Sequence, residues 1–230
     1  MKFYIGTSGW MYSWNEEGTL DWYVRHSGLN AIELNMSFYR FPFPSQVKGW
    51  SKRNLVWVVK VNKVITHRFK FGEKARESWE RFFNLFSPLD PLIHLYLFQA
   101  PPNFSWKMYK RIEEFHRFTG LSHRFAFEPR HPSWFQEEAY TWAEECGITW
   151  VSVDAPDLPR DVISIKRTVY LRMHGRTAWY AHFYTPEELK EVRDKILSLN
   201  PEKVYVFFNN NHAMLSNARY FKELLEGSTP

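Results

Sequence analysis

The sequence predicts a single (β/α)8 TIM barrel with parallel strands over residues 1–230, and three observations carry that prediction. Short apolar runs recur along the chain, amphipathic helical segments follow most of them, and every run stops at a polar residue. A length of 230 residues suits the fold, since roughly 200 to 250 suffice for one barrel and little is left for an added domain.

The apolar runs are Lys2–Gly6, Asn30–Leu34, Leu55–Val59, Leu92–Phe98, Arg124–Phe127, Ile148–Val153, Val169–Leu171 and Val204–Phe208. They are near-continuous and do not alternate, as expected of parallel strands covered on both faces. Between them, Trp79, Phe82, Phe83 and Phe86 fall at helical spacing and make one apolar stripe. Ala139, Trp142, Ala143 and Cys146 repeat it, as do Leu189, Val192, Ile196 and Leu199, then Met214, Ala218, Phe221 and Leu225. Met108, Ile112 and Phe115 mark another helix, and shorter ones are expected at Leu20–Arg25 and Ser45–Trp50. Thr185-Pro186-Glu187-Glu188 reads as a capping box with proline at the first helical position, and Ser133-Trp134-Phe135-Gln136 reads the same way. Strict alternation of strand and helix is the expectation throughout.

Hydrophobic residues at 44% can fill a core, which argues against disorder. The aromatic share of 19% exceeds what a barrel interior of branched aliphatics needs, so some rings are expected at a site. The net charge of +5 and a pI near 9.2 favour anionic partners in encounter. Cys146 is the lone cysteine, which excludes an intrachain disulfide or a cysteine-based zinc cluster and fits a reducing compartment. The first residues lack the apolar core of a signal peptide, and no apolar stretch is long enough to cross a membrane. A soluble, cytoplasmic protein with no membrane partner is expected.

The polar residues that end the runs are Thr7, Glu33, Lys60, Gln99, Glu128, Asp154, Arg172 and Asn209. In a barrel such positions lie on the C-terminal face, where active sites are built. An unpaired buried charge costs several kcal/mol, so a strand that ends on one is reaching either solvent or a partner. The loops just beyond add Ser8, Trp10, Asn35, Tyr39, Arg40, Asn62, His67, Arg130, His131, His174 and Asn210. Arginine forks among these suit phosphate or carboxylate.

At these residues the sequence resembles the YecE-like family, known as domain of unknown function 72. The similarity lies in an ordered set: Gly6-Thr7-Ser8-Gly9-Trp10, Glu33-Leu34-Asn35-Met36-Ser37-Phe38-Tyr39-Arg40, Thr66-His67, Phe98-Gln99-Ala100-Pro101-Pro102, Glu128-Pro129-Arg130-His131-Pro132-Ser133-Trp134, Tyr170-Leu171-Arg172-Met173-His174-Gly175 and Phe208-Asn209-Asn210-Asn211. The resemblance implies a TIM barrel akin to the xylose-isomerase and endonuclease IV type, and no established activity. Two departures stand out: Met11-Tyr12-Ser13-Trp14 lacks an aspartate before the second tryptophan, and Asn211 replaces a usual aspartate.

The leading functional expectation is an enzyme for a small polar anionic substrate, a sugar or phosphate ester. Glu128 and Asp154 would be its carboxylates, His174 its proton carrier, and Arg172 with Lys60 and Arg40 the holders of negative charge. Thr7, Ser8, Trp10, Glu33, Asn35, Tyr39, His67, Gln99, Arg130, His131, Asn209 and Asn210 would complete the binding set. No cofactor is predicted, although a divalent metal held by His67, Glu128, His131, Asp154 and His174 would support a phosphodiesterase alternative. A third reading is a non-catalytic module for nucleic acid or sugar, stacking on Trp10, Tyr39, Trp134 and Trp179.

Overall fold

A computed structural model describes residues 1–227. All eight predicted strands form: β1 (Lys2–Ser8), β2 (Ala31–Leu34), β3 (Val56–Lys60), β4 (Ile93–Gln99), β5 (Phe125–Glu128), β6 (Thr149–Asp154), β8 (Thr168–Met173) and β9 (Lys203–Phe208). The added β7 (Ser164–Ile165) is a two-residue strand that pairs antiparallel with the start of β8. Strand order runs β6-β5-β4-β3-β2-β1-β9-β8, and β6 also pairs with β8. The parallel ladder therefore returns on itself, which is the hydrogen-bond topology of a (β/α)8 barrel. β2, β5 and β6 are buried at every residue, including their terminal acids, as near-continuous apolar runs imply.

The helices are α1 (Leu20–His26), α2 (Met36–Tyr39), α3 (Pro44–Trp50), α4 (Glu73–Phe86), α5 (Tyr109–Thr119), α6 (Glu137–Cys146), α7 (Pro186–Ser198) and α8 (Met214–Glu226). α7 starts with the predicted capping box, in which the Thr185 hydroxyl accepts from the Glu188 amide and the Glu188 carboxylate accepts from the Thr185 amide. The second predicted box does not form. Pro132–Trp134 makes a single 3-10 turn capped by the His131 ring, and α6 begins only at Glu137. The reason is Trp134, which is fully buried and donates its indole N–H to the Phe104 carbonyl at 2.7 Å. A side chain drawn inward there cannot sit in the exposed first turn of a helix. Strict alternation also fails: α2 and α3 both stand between β2 and β3, and residues 155–163 after β6 contain no helix. Pro156 and Pro159 deny that stretch the backbone donors that helix needs.

By its internal contacts the chain groups into two units, Met1–Glu33 with Val151–Pro230, and Leu34–Trp150. In the first, Gly6 is required by close packing: a Cβ there would lie 2.3 Å from the Ala31 carbonyl oxygen, against the neighbouring strand. Gly175 follows β8 with φ +118, and its Cβ would lie 2.5 Å from the Ala178 carbonyl oxygen. The second unit is built around aromatic rings. Phe98 and Phe125 stack at 3.9 Å, and Phe71 meets Phe98, Phe104, Phe115 and Phe127 at once. Phe71 holds a left-handed backbone (φ 59) to reach that position, a strain that burial of the ring offsets. Among the described residues no helix is long and apolar enough to cross a membrane.

Phe71→Ala removes that shared ring and is expected to lower unfolding free energy by about 3 to 5 kcal/mol, measured by urea denaturation. Tyr39→Ala, at an exposed position, should shift it by less than about 0.5 kcal/mol.

Candidate functional site

In the unit of Met1–Glu33 and Val151–Pro230, the strand ends form a closed polar network. Glu33, at the end of β2, is fully buried. Its Oε1 accepts from the Ser8 hydroxyl and from Arg172 Nη2, each at 2.6 Å. Its Oε2 accepts from the Tyr170 hydroxyl at 2.6 Å and from Arg172 Nε at 2.9 Å. A carboxylate offers about four lone-pair sites, so this one is saturated by the protein itself. Arg172 is also fully buried, and its Nη1 lies 3.2 Å from His174 Nε2. Guanidinium can only donate, so Nε2 accepts and the ring proton sits on Nδ1. The Asn209 side-chain amide lies 3.3 Å from that Nδ1.

The expectation that Arg172 holds substrate charge therefore meets a guanidinium locked in a bidentate buried pair. His174, expected to carry protons, is fully buried with both ring nitrogens facing partners. Thr7 donates its hydroxyl to the Gly9 carbonyl, and its amide donates to Tyr23 Oη. Trp10 is buried, its carbonyl accepting from Asn15. Asn210 is buried as well, and its amide donates to the His182 carbonyl and to Asn217 Oδ1. These residues build the scaffold around the strand ends.

Asp154, at the end of β6, belongs to a second cluster that sequence inspection missed. Tyr184 donates to its Oδ1 at 2.9 Å, and Arg176 Nε to its Oδ2 at 3.1 Å. Burial pushes the Tyr184 hydroxyl pKa far up, and the Asp154 charge adds to the shift, so it remains a donor. Burial pulls Arg176 down, but its hydrogen bonds to Glu191 and the charge of Asp154 outweigh it and the pKa is raised. Glu191, on α7, is held down to about 2 by its hydrogen bonds to Arg176 and Lys195. Arg176 and Tyr184 lie in the long connection between β8 and α7, where no periodicity could single them out.

The unit of Leu34–Trp150 carries a different kind of cluster, from the ends of β3 and β5 and the turn after β3. Lys60 ends β3 nearly buried, with its ammonium 4.3 Å above the Phe38 ring. The chain then makes a π-helical turn, Val64–Arg68, that presents His67. Such turns are rare and recur at functional sites. The ring is half-buried, its Nδ1 is 2.8 Å from the Thr66 hydroxyl, and Phe38 packs edge-on against it at 5.1 Å. Nε2 has no hydrogen-bond partner among the described residues. Burial lowers the His67 pKa to about 4, and the charges of Lys60, Arg130 and Lys63 push the same way against Glu128. Glu128 ends β5 fully buried and is paired with Arg130, itself nearly covered. Gln99 lies beside Glu128 in register and is half-buried.

The remaining predicted residues of this unit lie around these. His131 accepts from the Ser133 amide and shapes the loop after β5. Asn35 precedes α2 and is half-buried, while Tyr39 and Arg40 at the end of that helix are exposed. Among the described residues, no group of three or more His, Cys, Asp or Glu side chains is placed to hold a metal ion.

Residues 4–230 match the family model described as Protein of unknown function DUF72. The chain belongs to the DUF72 family. A DUF72 family protein of Thermotoga maritima is 29% identical, with 98% of this chain and all of that one covered and a TM-score of 0.80. A DUF72 family protein of Enterococcus faecalis is 20% identical over 100% of this chain and 97% of that one, with a TM-score of 0.85. A D-tagatose 3-epimerase-like protein shares the fold alone, at 14% identity and a TM-score of 0.52 over 99% of this chain and 96% of that one. No curated protein matches the chain. The DUF72 chain is thus a TIM barrel, as the resemblance implied.

Two outcomes follow for this DUF72 protein. Arg172→Met should strand the buried Glu33 charge and cost about 3 to 5 kcal/mol of stability, read from urea denaturation. Because the folded His67 refuses a proton that the unfolded chain accepts, stability should fall as pH drops from about 6.5 to about 4 and be insensitive to this group above that window. His67→Asn should flatten that part of the pH–stability curve, measured by thermal melts at half-unit intervals.

Proposed function

We propose that the strand ends of the Leu34–Trp150 unit bind a small oxyanion-bearing substrate, a sugar phosphate or related ester, and support proton transfer on it. The observation that carries this reading is the environment of His67. Its half-buried ring stands under the field of three cations and one carboxylate. Burial is the largest cause of the lowered pKa and the three cations add to it; it is their field that favours an anion.

Lys60 and Arg130 are the residues to hold the anion, through charge-assisted hydrogen bonds that are roughly twice as strong as neutral ones. Glu128 orients Arg130 by its ion pair. Phe38 lines the site and confines the Lys60 ammonium. His67 is the proton acceptor: Thr66 fixes its Nδ1 side, which leaves Nε2 to face substrate. With no anion bound, a pKa near 4 makes the ring a weak base. A bound oxyanion offsets the part of that lowering that comes from the surrounding cations, so the pKa rises and the ring becomes a better general base. Substrate binding would therefore switch on the base.

The test is an NMR titration of the His67 ring with inorganic phosphate and with glucose 6-phosphate as probes. The ring should titrate near pH 4 in their absence and at least about one pH unit higher at saturation. Lys60→Met should abolish the anion-induced shift. A His67 signal that ignores both anions at 20-fold excess over protein, or a shift that persists in Lys60→Met, would overturn the assignment.

A further inference from the structure

The positive charge of the protein is concentrated in one stretch. Residues 34–86 hold eleven lysines and arginines against three acids, whereas the whole chain holds 30 against 25. This stretch alone therefore exceeds the net charge of the molecule, and the rest is net acidic. Some of that charge is buried, as that of Lys60 is, but much of it stands on the surface.

Two adjoining clefts run along the solvent side of α4. One, of about 310 Å³, is lined by Tyr39, Arg40, Asn62, Ser78 and Arg81 among others. The next, of about 340 Å³, shares Ser78 and Arg81 and continues to Phe69, Lys74 and Glu77. Lys74, Ser78 and Arg81 fall at helical spacing on one exposed stripe of α4, while Ala75, Trp79 and Phe82 face the core. Neither Arg40 nor Arg81 has a carboxylate partner among the described residues, and the contact Arg81 makes is with the Phe41 ring at 5.3 Å. Glu77 is the one acid in the groove, against Arg40, Arg81 and Lys74.

At the same end Tyr39, which lines the first cleft, is 68% exposed. Lys63 lies 5.6 Å from the Tyr39 ring centre. A single open ring needs no explanation by itself, but this one borders a cleft lined by cations. A positive groove bordered by an open aromatic face is the arrangement that follows a phosphodiester backbone while a base stacks. A lone phosphate would need one cleft and no ring. The contiguity of the two clefts and the spread of charge along α4 fit a polymer.

We propose that the groove along α4, with Arg40, Lys74 and Arg81 on the phosphates and Tyr39 under a base, binds single-stranded nucleic acid without sequence preference. It shares no residue with the Lys60, His67, Glu128 and Arg130 cluster, so either assignment stands or falls without the other.

Fluorescence anisotropy with a labelled twenty-residue oligothymidylate, and with oligoadenylate RNA, tests this on the full chain. Wild type should bind both and weaken with salt along a log–log slope of roughly −2, the value for about three phosphates on a single strand. Arg40→Glu with Arg81→Glu should reduce affinity at least tenfold and lessen the slope. Tyr39→Ala should reduce it several-fold with the slope unchanged. Lys110→Glu with Lys190→Glu, an equal charge change outside the groove, should alter affinity less than twofold, and all variants should melt with wild type. Absence of oligonucleotide binding, binding of pyrophosphate alone, or equal loss in the control pair would each overturn the proposal.

Discussion

Glu33 and Arg172 meet fully buried, and the local arrangement of β1, β2 and β8 depends on that meeting. Removing two charges from water costs several kcal/mol per ion, which a bare Coulomb attraction does not reliably offset. Here the carboxylate receives a bidentate fork together with the hydroxyls of Ser8 and Tyr170, so each lone-pair position is met. The guanidinium passes the constraint onward by donating to His174, which sets the tautomer of that ring. One saturated acid thus specifies the side chains at the ends of three strands. Such a network resists partial occupancy, because any missing member leaves a buried polar group exposed to a low-dielectric surrounding.

The cluster around Lys60 and His67 follows the opposite logic. Burial lowers the imidazole pKa there, and positive groups that outnumber the facing acid lower it further. Stability is diminished in acid by that arrangement, which is the usual sign of residues kept for binding and not for folding. The π-helical turn contributes by carrying His67 beside Phe38 directly after a buried strand. The two clusters end strands of the same kind with the same residue types, yet one is closed and the other is charged and open to an anion.

Much of this architecture was legible in sequence. Each apolar run became a strand, and its boundary moved by two residues or fewer, because parallel strands covered on both faces must be apolar along nearly their whole length. The α4 stripe of Trp79, Phe82 and Phe86 and the Thr185 capping box are equally local signals, set by helical period and by backbone donors three residues away. Local rules failed where a side chain answered to distant packing. Trp134 left the expected helix start for a carbonyl thirty residues back, and Phe71 accepted a left-handed backbone to join four rings.

Sequence alone determined the barrel, its strand ends and the polar residue types found there, since burial period and strand length are properties of contiguous residues. It also contained the charge excess of residues 34–86, which needs only counting. Only the tertiary structure decided which of those polar residues answer to one another. Glu33 and Tyr170 are 137 positions apart, and Arg176 reaches Asp154 from a connection without periodicity. Whether a polar group near the strand ends is saturated, as Glu33 is, or faced mainly by cations, as His67 is, depends on which groups arrive from elsewhere in the chain. That is a matter of distances of a few ångströms, over which hydrogen bonds and desolvation act, and no spacing along the chain encodes it.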